Sequence, residues 1–215
     1  MRQQSCIISN TNLTDSIFLL RFERNNFDFK SGQYIVMYIP GNSQCREYSI
    51  YSGADKPYIE ILVKEVENGL FSTSLKKLKS GNIIEFEGPF GFFVLPEDSM
   101  FSKKFLFIAT GTGISPFNSF LSSYKLSNIT VLHGISYLNE AIGSNFFKDL
   151  DYITCTSKSN TGQFQGHVTS WLRHNPILQN TIYYLCGNAN MINEASDILE
   201  AYNIPPENIR SEVFF

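Results

Sequence analysis

The sequence has few cysteines, and they lie far apart. Only four occur among the 215 residues, Cys6, Cys45, Cys155 and Cys186. Iron–sulfur and zinc sites need thiolates at short spacing, so this pattern excludes both, and we expect no metal site. So few cysteines in a chain of this length also argue against a disulfide-stapled scaffold. Any redox chemistry must therefore come from a bound organic cofactor.

The sequence also lacks an excess of charge of either sign and any long apolar run. It has 17 Lys and Arg against 20 Asp and Glu, a formal net charge of −3, unlike a basic nucleic-acid-binding domain. No stretch of about 18 apolar residues occurs, so we expect no membrane-spanning helix. The N-terminal residues MRQQSC do not begin an apolar signal core. These features predict a soluble, cytoplasmic protein.

The first half of the chain has the pattern of short strands separated by turns. Segments rich in β-branched and aromatic residues are 15–22, 33–39, 46–51, 58–66 and 82–87. Turn formers such as Pro40-Gly41 separate them, and short strands at this spacing predict an antiparallel β-barrel. One short helix is predicted over 72–79, with Ser72 as its N-cap.

The second half alternates between apolar strands and helices. Residues 105–109 (FLFIA) form a continuous apolar run, typical of a strand buried on both faces of a parallel sheet. Residues 129–132 and 181–185 are similar, and 190–202 has the period of an amphipathic helix. This alternation predicts a Rossmann-like α/β domain with a parallel sheet. We place the boundary after Pro96, which gives domains 1–98 and 99–215.

Two motifs in the first half suit a phosphate and a flat ring. Strand alternation places Arg46 and Tyr48 on one face and Ser49 on the other. A guanidinium pairs well with a phosphate, and an aromatic ring stacks on a heterocycle. The run Gly69-Leu70-Phe71-Ser72 begins a helix, whose first N–H groups bind anions. Each motif alone is more typical of an ordinary surface strand or helix start.

Two motifs in the second half follow parallel strands. Gly111-Thr112-Gly113 comes directly after the 105–109 run, and Pro116 suits the first turn of the next helix. The glycines permit a tight turn and close approach to a diphosphate, although Pro116 replaces the third glycine of the dinucleotide pattern. Cys186-Gly187-Asn188 follows the 181–185 strand, so both loops are expected to line one crevice at the carboxyl ends of the strands. A purely structural turn is the alternative interpretation of 111–116.

Together these motifs resemble those of the ferredoxin–NADP reductase family. They are Arg46-x-Tyr48-Ser49, Gly69-x-x-Ser72, Gly111-Thr112-Gly113-x-x-Pro116, Cys186-Gly187-Asn188-x-x-Met191 and Glu212-Val213-Phe214-Phe215, in that order. The resemblance spans nearly the whole chain, and 88–95 (GPFGFFVL) is most similar to the bacterial ferredoxin/flavodoxin reductases. It implies an FAD-dependent enzyme that passes electrons between NAD(P)H and a one-electron carrier, ferredoxin or flavodoxin.

On the flavin side, the resemblance implies that the FAD pyrophosphate is bound by Arg46 and by Gly69, Leu70, Phe71 and Ser72. Tyr48 would stack on the flavin, and Ser49 would lie near flavin N5. Glu212 would lie near the flavin edge, and Ser49, Cys186 and Glu212 form the implied catalytic set. Phe214 or Phe215 would cover the flavin or the adenine, and we favour Phe214 over the flavin.

On the nicotinamide side, the resemblance implies that Gly111, Thr112, Gly113 and Pro116 hold the diphosphate. Gly187 and Asn188 would line the same site, and Cys186 would flank the reactive nicotinamide carbon. Members that prefer NADP usually carry arginines at positions where this chain has Ser136, Lys158 and His167. Ser157 and Lys158 suit a 2′-phosphate, although lysine is a point charge and not a bidentate fork. The implied nucleotide is NADP, with NAD as the alternative.

The electron carrier is expected to be a separate protein, because the chain has no cluster of iron–sulfur cysteines. The lysines at 76, 77, 79, 103 and 104 offer a docking face for an acidic carrier, or are simply solvated. The alternatives are an NADH-dependent reductase component of an oxygenase and a degenerate binding module that has lost its flavin. We expect a monomer with no nucleic-acid partner, and structural roles for His133 and His174.

Overall fold

The computed structural model describes residues 2–41, 44–98, 100–143, 147 and 150–214. The chain divides into two compact units. The barrel unit comprises Met1–Leu95 and Ser115–Tyr124, and the sheet unit comprises Pro96–Ile114 and Lys125–Phe215. The domain limits drawn from the sequence, 1–98 and 99–215, remain a proposal.

The barrel unit is antiparallel, as the sequence predicts, and within the described residues it has six strands, of which the first was not among the five predicted segments. They are β1 (Gln3–Asn12), β2 (Ile17–Glu23), β3 (Tyr34–Tyr38), β4 (Cys45–Ser49), β5 (Tyr58–Lys64) and β6 (Ile83–Phe90). Their order across the sheet is β4-β3-β6-β1-β2-β5. An isolated antiparallel bridge between Ile50 and Ile61 joins the end of β4 to β5. The two outer strands therefore meet, and the sheet closes into a barrel.

The alternation of apolar residues along β2 and β5 explains the barrel core. Phe18, Leu20 and Phe22 of β2 point to one face because successive strand residues alternate, and all three are fully buried. In β5, Val63 pairs with Phe18, and Ile61 pairs with Leu20. These cross-strand apolar pairs stabilise the strand register.

The short helix of the barrel unit differs from the predicted one. Helix α1 spans Leu70–Lys77 and has Gly69 as its N-cap, so the prediction that Ser72 caps it is wrong. Ser72 lies in the first turn, where its hydroxyl accepts a hydrogen bond from the Val66 N–H at 3.0 Å. Glycine is itself an accepted N-cap residue, and Asn68, with a φ of 59°, turns the chain into the helix.

Helix α2 (Ser115–Ser123) belongs to the barrel unit. Pro116 is its second residue, which confirms that the proline lies in the first turn. The Ser119 hydroxyl donates to the Ser52 carbonyl at 2.7 Å, and the Asn118 amide donates to the Tyr51 carbonyl at 3.0 Å. The helix is therefore anchored to the barrel by buried hydrogen bonds.

The sheet unit contains a parallel sheet, as predicted, and within the described residues it has six strands, three of which (the third, fourth and sixth along the chain) were not predicted. The strands are β7 (Lys104–Thr110), β8 (Ile129–Ile135), β9 (Asp151–Thr156), β10 (Phe164–Gln165), β11 (Thr181–Asn188) and β12 (Ile209–Phe214), and the helices are α3 (Val168–His174) and α4 (Ala189–Ala201). The strand order is β10-β9-β8-β7-β11-β12. The chain moves outward from β7 to β10 and then returns to the other side of β7. The topology therefore reverses between β7 and β11, the position where such sheets bind ligands.

The apolar run at the start of this unit forms its central strand. Residues 105–109 are all at most 9% exposed, as expected for a strand covered on both faces. Helix α4 begins one residue earlier than predicted and buries Met191, Ile192, Ala195, Ile198 and Leu199. Within the described residues, every helix is too short or too polar to cross a membrane.

Candidate functional site

Strand β4 presents Arg46 and Tyr48 on one face, as predicted. Arg46 pairs with Met37 and Tyr48 pairs with Ile35 on β3, and directly paired residues share a face. Met37 and Ile35 are fully buried, Tyr48 is half-buried against the same core, and Arg46 is exposed. The next residue, Ser49, is buried. The strand thus directs an aromatic ring at the core and a guanidinium at solvent.

A ring contact brings β4 to the start of α1. The rings of Tyr48 and Phe71 lie 6.5 Å apart and 23° from parallel, and Phe71 is the second residue of α1. Burial raises the pKa of the Tyr48 hydroxyl well above its usual range, and the nearby Arg46 charge lowers it in part. The hydroxyl therefore stays protonated near neutral pH and can donate a hydrogen bond.

The N-terminus of α1 has the donors of a phosphate site. In the described part of the chain no side chain caps this helix, and first-turn N–H groups lack intrahelical acceptors. A Cβ at Gly69 would lie 2.9 Å from the Val66 carbonyl oxygen, so only glycine fits there. Leu70 is 71% exposed, which leaves the helix start open to solvent. The guanidinium, helix N-terminus and half-buried ring fit a diphosphate that carries a flat heterocycle.

The two loops predicted to share a crevice do meet in the sheet unit. A Cβ at Gly113 would overlap the Cys186 carbonyl and lie 2.9 Å from the Gly187 Cα. Gly187 has a φ of +129°, and a Cβ there would overlap the Thr110 hydroxyl. That hydroxyl accepts a hydrogen bond from the Asn188 N–H at 2.9 Å. The turn after β7 and the loop after β11 therefore pack together at the point where the topology reverses.

His133 binds the first residue of the glycine turn. The sequence analysis expected a structural role for this histidine but did not predict its partner. The His133 Nε2 atom lies 2.8 Å from the Gly111 carbonyl oxygen, and Nδ1 lies 2.8 Å from the Tyr152 hydroxyl. The imidazole is fully buried, and burial lowers its pKa to about 4, against the opposing effects of the Gly111 bond and of the Glu140 charge. It is therefore neutral at physiological pH.

Cys186 is a buried, protonated thiol. It is fully buried, and its pKa is raised well above the usual value, first by burial and second by the charge of Glu212. Glu212 is opposite Cys186 in the parallel pairing of β11 with β12 and is half-buried. Thiolates, not thiols, act as nucleophiles and metal ligands. Cys186 is thus suited to shape a pocket wall, and its position beside a nicotinamide remains a prediction.

The loop after β9 holds Ser157 and Lys158 next to the end of β8. The Ser157 N–H donates to the Ile135 carbonyl and the Lys158 N–H to the Ser136 carbonyl, both at 3.0 Å. Both side chains are exposed, and among the described residues no carboxylate pairs with Lys158. His167 is also exposed, at the N-cap of α3. A fixed loop therefore presents one lysine charge to solvent at the carboxyl edge of the sheet.

The end of the chain continues the parallel sheet. Glu212, Val213 and Phe214 belong to β12, and Phe214 pairs with Asn188 and is half-buried. Phe215 lies outside the described residues, so the choice of Phe214 over the flavin stays a prediction. Within the described residues, no group of three His, Cys, Asp or Glu side chains is arranged to hold a metal ion.

Comparison with known proteins identifies the barrel and the fold. Residues 4–95 match the model of the oxidoreductase FAD-binding domain family. A ferredoxin NADP⁺ reductase from Neisseria gonorrhoeae, solved with bound FAD and NADP, superposes with a TM-score of 0.87 at 18% identity, over 100% of this chain and 99% of that one. Residues 4–95 therefore belong to the oxidoreductase FAD-binding domain family, and the whole chain has the fold of this ferredoxin NADP⁺ reductase.

Other similar proteins include both ferredoxin reductases and oxygenase reductases. The toluate 1,2-dioxygenase electron transfer component of Pseudomonas putida is 25% identical over 98% of this chain and 67% of its own length. The ferredoxin–NADP reductase of Azotobacter vinelandii is 23% identical over 92% of this chain and 89% of its own length. A cytochrome P450 reductase from Amycolatopsis has a TM-score of 0.88 at 20% identity, over 99% of this chain and 70% of that one.

This reductase-like chain is shorter than many of its relatives. It spans 59–67% of the length of the dioxygenase and propane monooxygenase reductase components that it matches. The matches therefore concern only the region that these proteins share with this chain. The branch of the family, inferred from residues 88–95, stays a prediction.

Proposed function

We propose that this chain binds FAD on the barrel unit and NADP on the sheet unit, and passes electrons between NAD(P)H and a one-electron carrier protein such as ferredoxin or flavodoxin. One observation carries the proposal. A barrel that matches an FAD-binding family occurs in one chain with a parallel sheet whose reversal point is lined by Gly113 and Cys186. Bound FAD would supply the chemistry that links two-electron hydride transfer to one-electron transfer.

The barrel residues account for binding and orientation of the flavin nucleotide. Arg46 and the N–H groups at the start of α1 supply positive charge and donors for a diphosphate. Tyr48, held against Phe71, offers its remaining exposed surface to a flat ring and a protonated hydroxyl as a donor. Ser49 is buried beside it on the opposite face of β4 and is proposed to lie near flavin N5.

The sheet residues account for binding of the nicotinamide nucleotide. Gly111 and Gly113 have no side chain that would block a diphosphate, and Asn188, the N-cap of α4, follows β11 beside this turn. Cys186, a neutral thiol at the end of β11, is proposed to limit the position of the nicotinamide, and Glu212 on the adjacent strand is proposed to lie near the flavin edge. Lys158 with Ser157 supplies a single cation for a 2′-phosphate, which favours NADP over NAD weakly.

The predicted lysine docking face is only partly free for a partner. Lys76 is bound to the Glu65 carboxylate and the Asp15 carbonyl, each at 2.5 Å. Lys77 and Lys79 are exposed on the barrel unit, and Lys103 and Lys104 are exposed on the sheet unit. We therefore propose Lys77 and Lys79 as the stronger contributors on the barrel side to binding an acidic carrier.

A second candidate is the NADH-dependent reductase component of an oxygenase. It is favoured by the matches to dioxygenase and propane monooxygenase reductases at 25–28% identity. The same flavin and the same residues would serve both functions, so the two differ in the nicotinamide nucleotide used and in the acceptor.

The experiment is an electron-transfer assay on the purified protein. We expect a yellow protein that releases intact FAD on denaturation and that reduces ferredoxin or flavodoxin with NADPH as donor. Reduction with NADH but not NADPH, and only of an oxygenase-type acceptor, would support the second candidate. A colourless protein that does not bind added FAD would contradict both and support the degenerate binding module.

A further inference from the structure

A partly buried hydrogen-bond chain, with the fully buried His133 at its centre, connects β9, β8 and the glycine turn. The Tyr152 hydroxyl lies within hydrogen-bond distance of His133 Nδ1, and His133 Nε2 lies within hydrogen-bond distance of the Gly111 carbonyl. Tyr152 is itself fixed by its ring, which stacks on Phe147 with centroids 4.9 Å apart and planes 13° from parallel. The chain thus starts from a fixed aromatic residue and ends on the backbone of the turn.

The partners determine which nitrogen of His133 carries the proton. A carbonyl oxygen only accepts hydrogen bonds, so Nε2 must be the protonated nitrogen. Burial keeps the ring neutral, as its lowered pKa shows, so Nδ1 has a lone pair and accepts from the Tyr152 hydroxyl. The Gly111 carbonyl therefore fixes the tautomer, and the Tyr152 hydroxyl complements it by donating to Nδ1.

Packing does not hold Gly111, whereas it does hold Gly113. A Cβ added at Gly111 would meet nothing within 4 Å, whereas a Cβ added at Gly113 would overlap the Cys186 carbonyl. Gly111 also has a φ of +53°, in a region that glycine enters and leaves easily. Because a peptide unit is planar, a fixed Gly111 carbonyl also fixes the direction of the Thr112 N–H.

We propose that His133 is a positioning residue, which orients the Gly111–Gly113 turn for a nucleotide diphosphate through its bond to the Gly111 carbonyl. This inference rests on the proposed function, because it assigns the diphosphate to that turn. The residue acts through the backbone and does not contact the nucleotide. Its loss should therefore weaken the binding of ligands that contain a diphosphate more than the binding of fragments that lack one.

The test compares His133→Asn, His133→Gln and Tyr152→Phe. A glutamine amide nitrogen can reach the place of Nε2, whereas an asparagine amide reaches only the place of Nδ1. Tyr152→Phe keeps the ring but removes the hydroxyl that donates to Nδ1. The probes are 2′-phospho-ADP-ribose, which contains the diphosphate, and adenosine 2′-monophosphate, which does not. The ratio of their dissociation constants is unaffected by a fraction of unfolded protein, and FAD content is measured in parallel.

We expect His133→Asn to weaken 2′-phospho-ADP-ribose roughly five- to ten-fold, the effect of one lost hydrogen bond. Adenosine 2′-monophosphate binding and FAD content should not change, and His133→Gln should restore most of the ratio. Tyr152→Phe should shift the ratio in the same direction by about two-fold, which serves as the test if His133→Asn does not fold. An unchanged ratio in the folded variants, or a glutamine variant no better than asparagine, would overturn the inference. If the wild-type protein binds neither probe, the proposed function fails instead.

Discussion

The side chains of Tyr48 and Phe71 stack in the barrel unit, with ring centroids 6.5 Å apart. Tyr48 follows Arg46 on β4, and Phe71 lies in the first turn of α1. This contact couples the strand that carries the guanidinium to the helix whose N-terminus is open to solvent. The proposed flavin site therefore requires both β4 and α1.

The first prediction concerns Arg46. Arg46→Ala should weaken FAD binding roughly 10- to 150-fold, because a charge-assisted hydrogen bond to a phosphate contributes about 1.5–3 kcal/mol. FAD affinity is measured by titrating flavin into the apoprotein. The control is Arg173→Ala, since Arg173 is an exposed arginine paired with Glu194 in the sheet unit. Equal FAD affinity in Arg46→Ala and in the control would contradict the assigned role.

A second prediction uses the two glycines of the turn as a matched pair. Gly113→Ala places a methyl group onto the Cys186 carbonyl, whereas Gly111→Ala places it in open space at a φ of +53°. We expect Gly113→Ala to abolish measurable nucleotide binding while FAD content is kept. Gly111→Ala should lower stability by about 1–2 kcal/mol, the cost of a left-handed conformation, and leave nucleotide binding detectable.

The measurement is NADP⁺ titration together with urea unfolding of both variants. Nucleotide binding by Gly113→Ala at wild-type affinity would show that the contact between the two loops does not shape the site.

The third prediction is a pH dependence of stability that originates at His133. Its pKa is about 4 in the folded protein and about 6.5 in an unfolded chain. Between these values the unfolded chain binds a proton that the folded protein does not. The contribution of His133 to the free energy of unfolding should therefore have its full value above pH 6.5. It should fall as the pH drops toward 4, by up to about 3 kcal/mol.

Urea unfolding between these pH values checks this, with His133→Gln as the control that cannot titrate at this position. The carboxylates titrate in both proteins, so the difference between the two curves isolates the histidine. Parallel curves for the two proteins would contradict the prediction.

The fourth prediction concerns Lys158. Lys158→Ala should reduce the preference for NADPH over NADH roughly ten-fold, the effect of one exposed ammonium–phosphate contact. High salt should reduce the wild-type preference in the same direction, because exposed charges are screened. The control is Lys103→Ala, because Lys103 is an exposed lysine immediately before β7, at the amino-terminal edge of the parallel sheet. If both variants keep the wild-type ratio, the 2′-phosphate is bound elsewhere or not at all.

Much of the fold follows from local patterns in the sequence. The run 105–109 predicted a central parallel strand because only a strand covered on both faces is apolar throughout. The contact of Gly113 with Cys186 followed from the rule that loops meet at the carboxyl ends of parallel strands. Strand β9 was not predicted, because Asp151–Thr156 mixes polar and apolar residues without a clear period.

The remaining features depend on contacts between distant parts of the chain. The bond from His133 to Gly111 joins residues 22 positions apart, and a buried histidine alone gives no sign of its partner. The hydroxyl of Ser72 binds back to Val66, although a serine near a helix start usually indicates a cap. The packing of α2 within the barrel unit likewise depends on hydrogen bonds to Tyr51 and Ser52.

The most direct test of the account is anaerobic stopped-flow reduction of the FAD-bound protein by NADPH and by NADH. We expect the visible flavin absorbance to bleach with both donors. The rate should saturate with nucleotide concentration, and the half-saturating concentration should be lower for NADPH. A protein that carries FAD but is bleached by neither nucleotide would contradict the central claim.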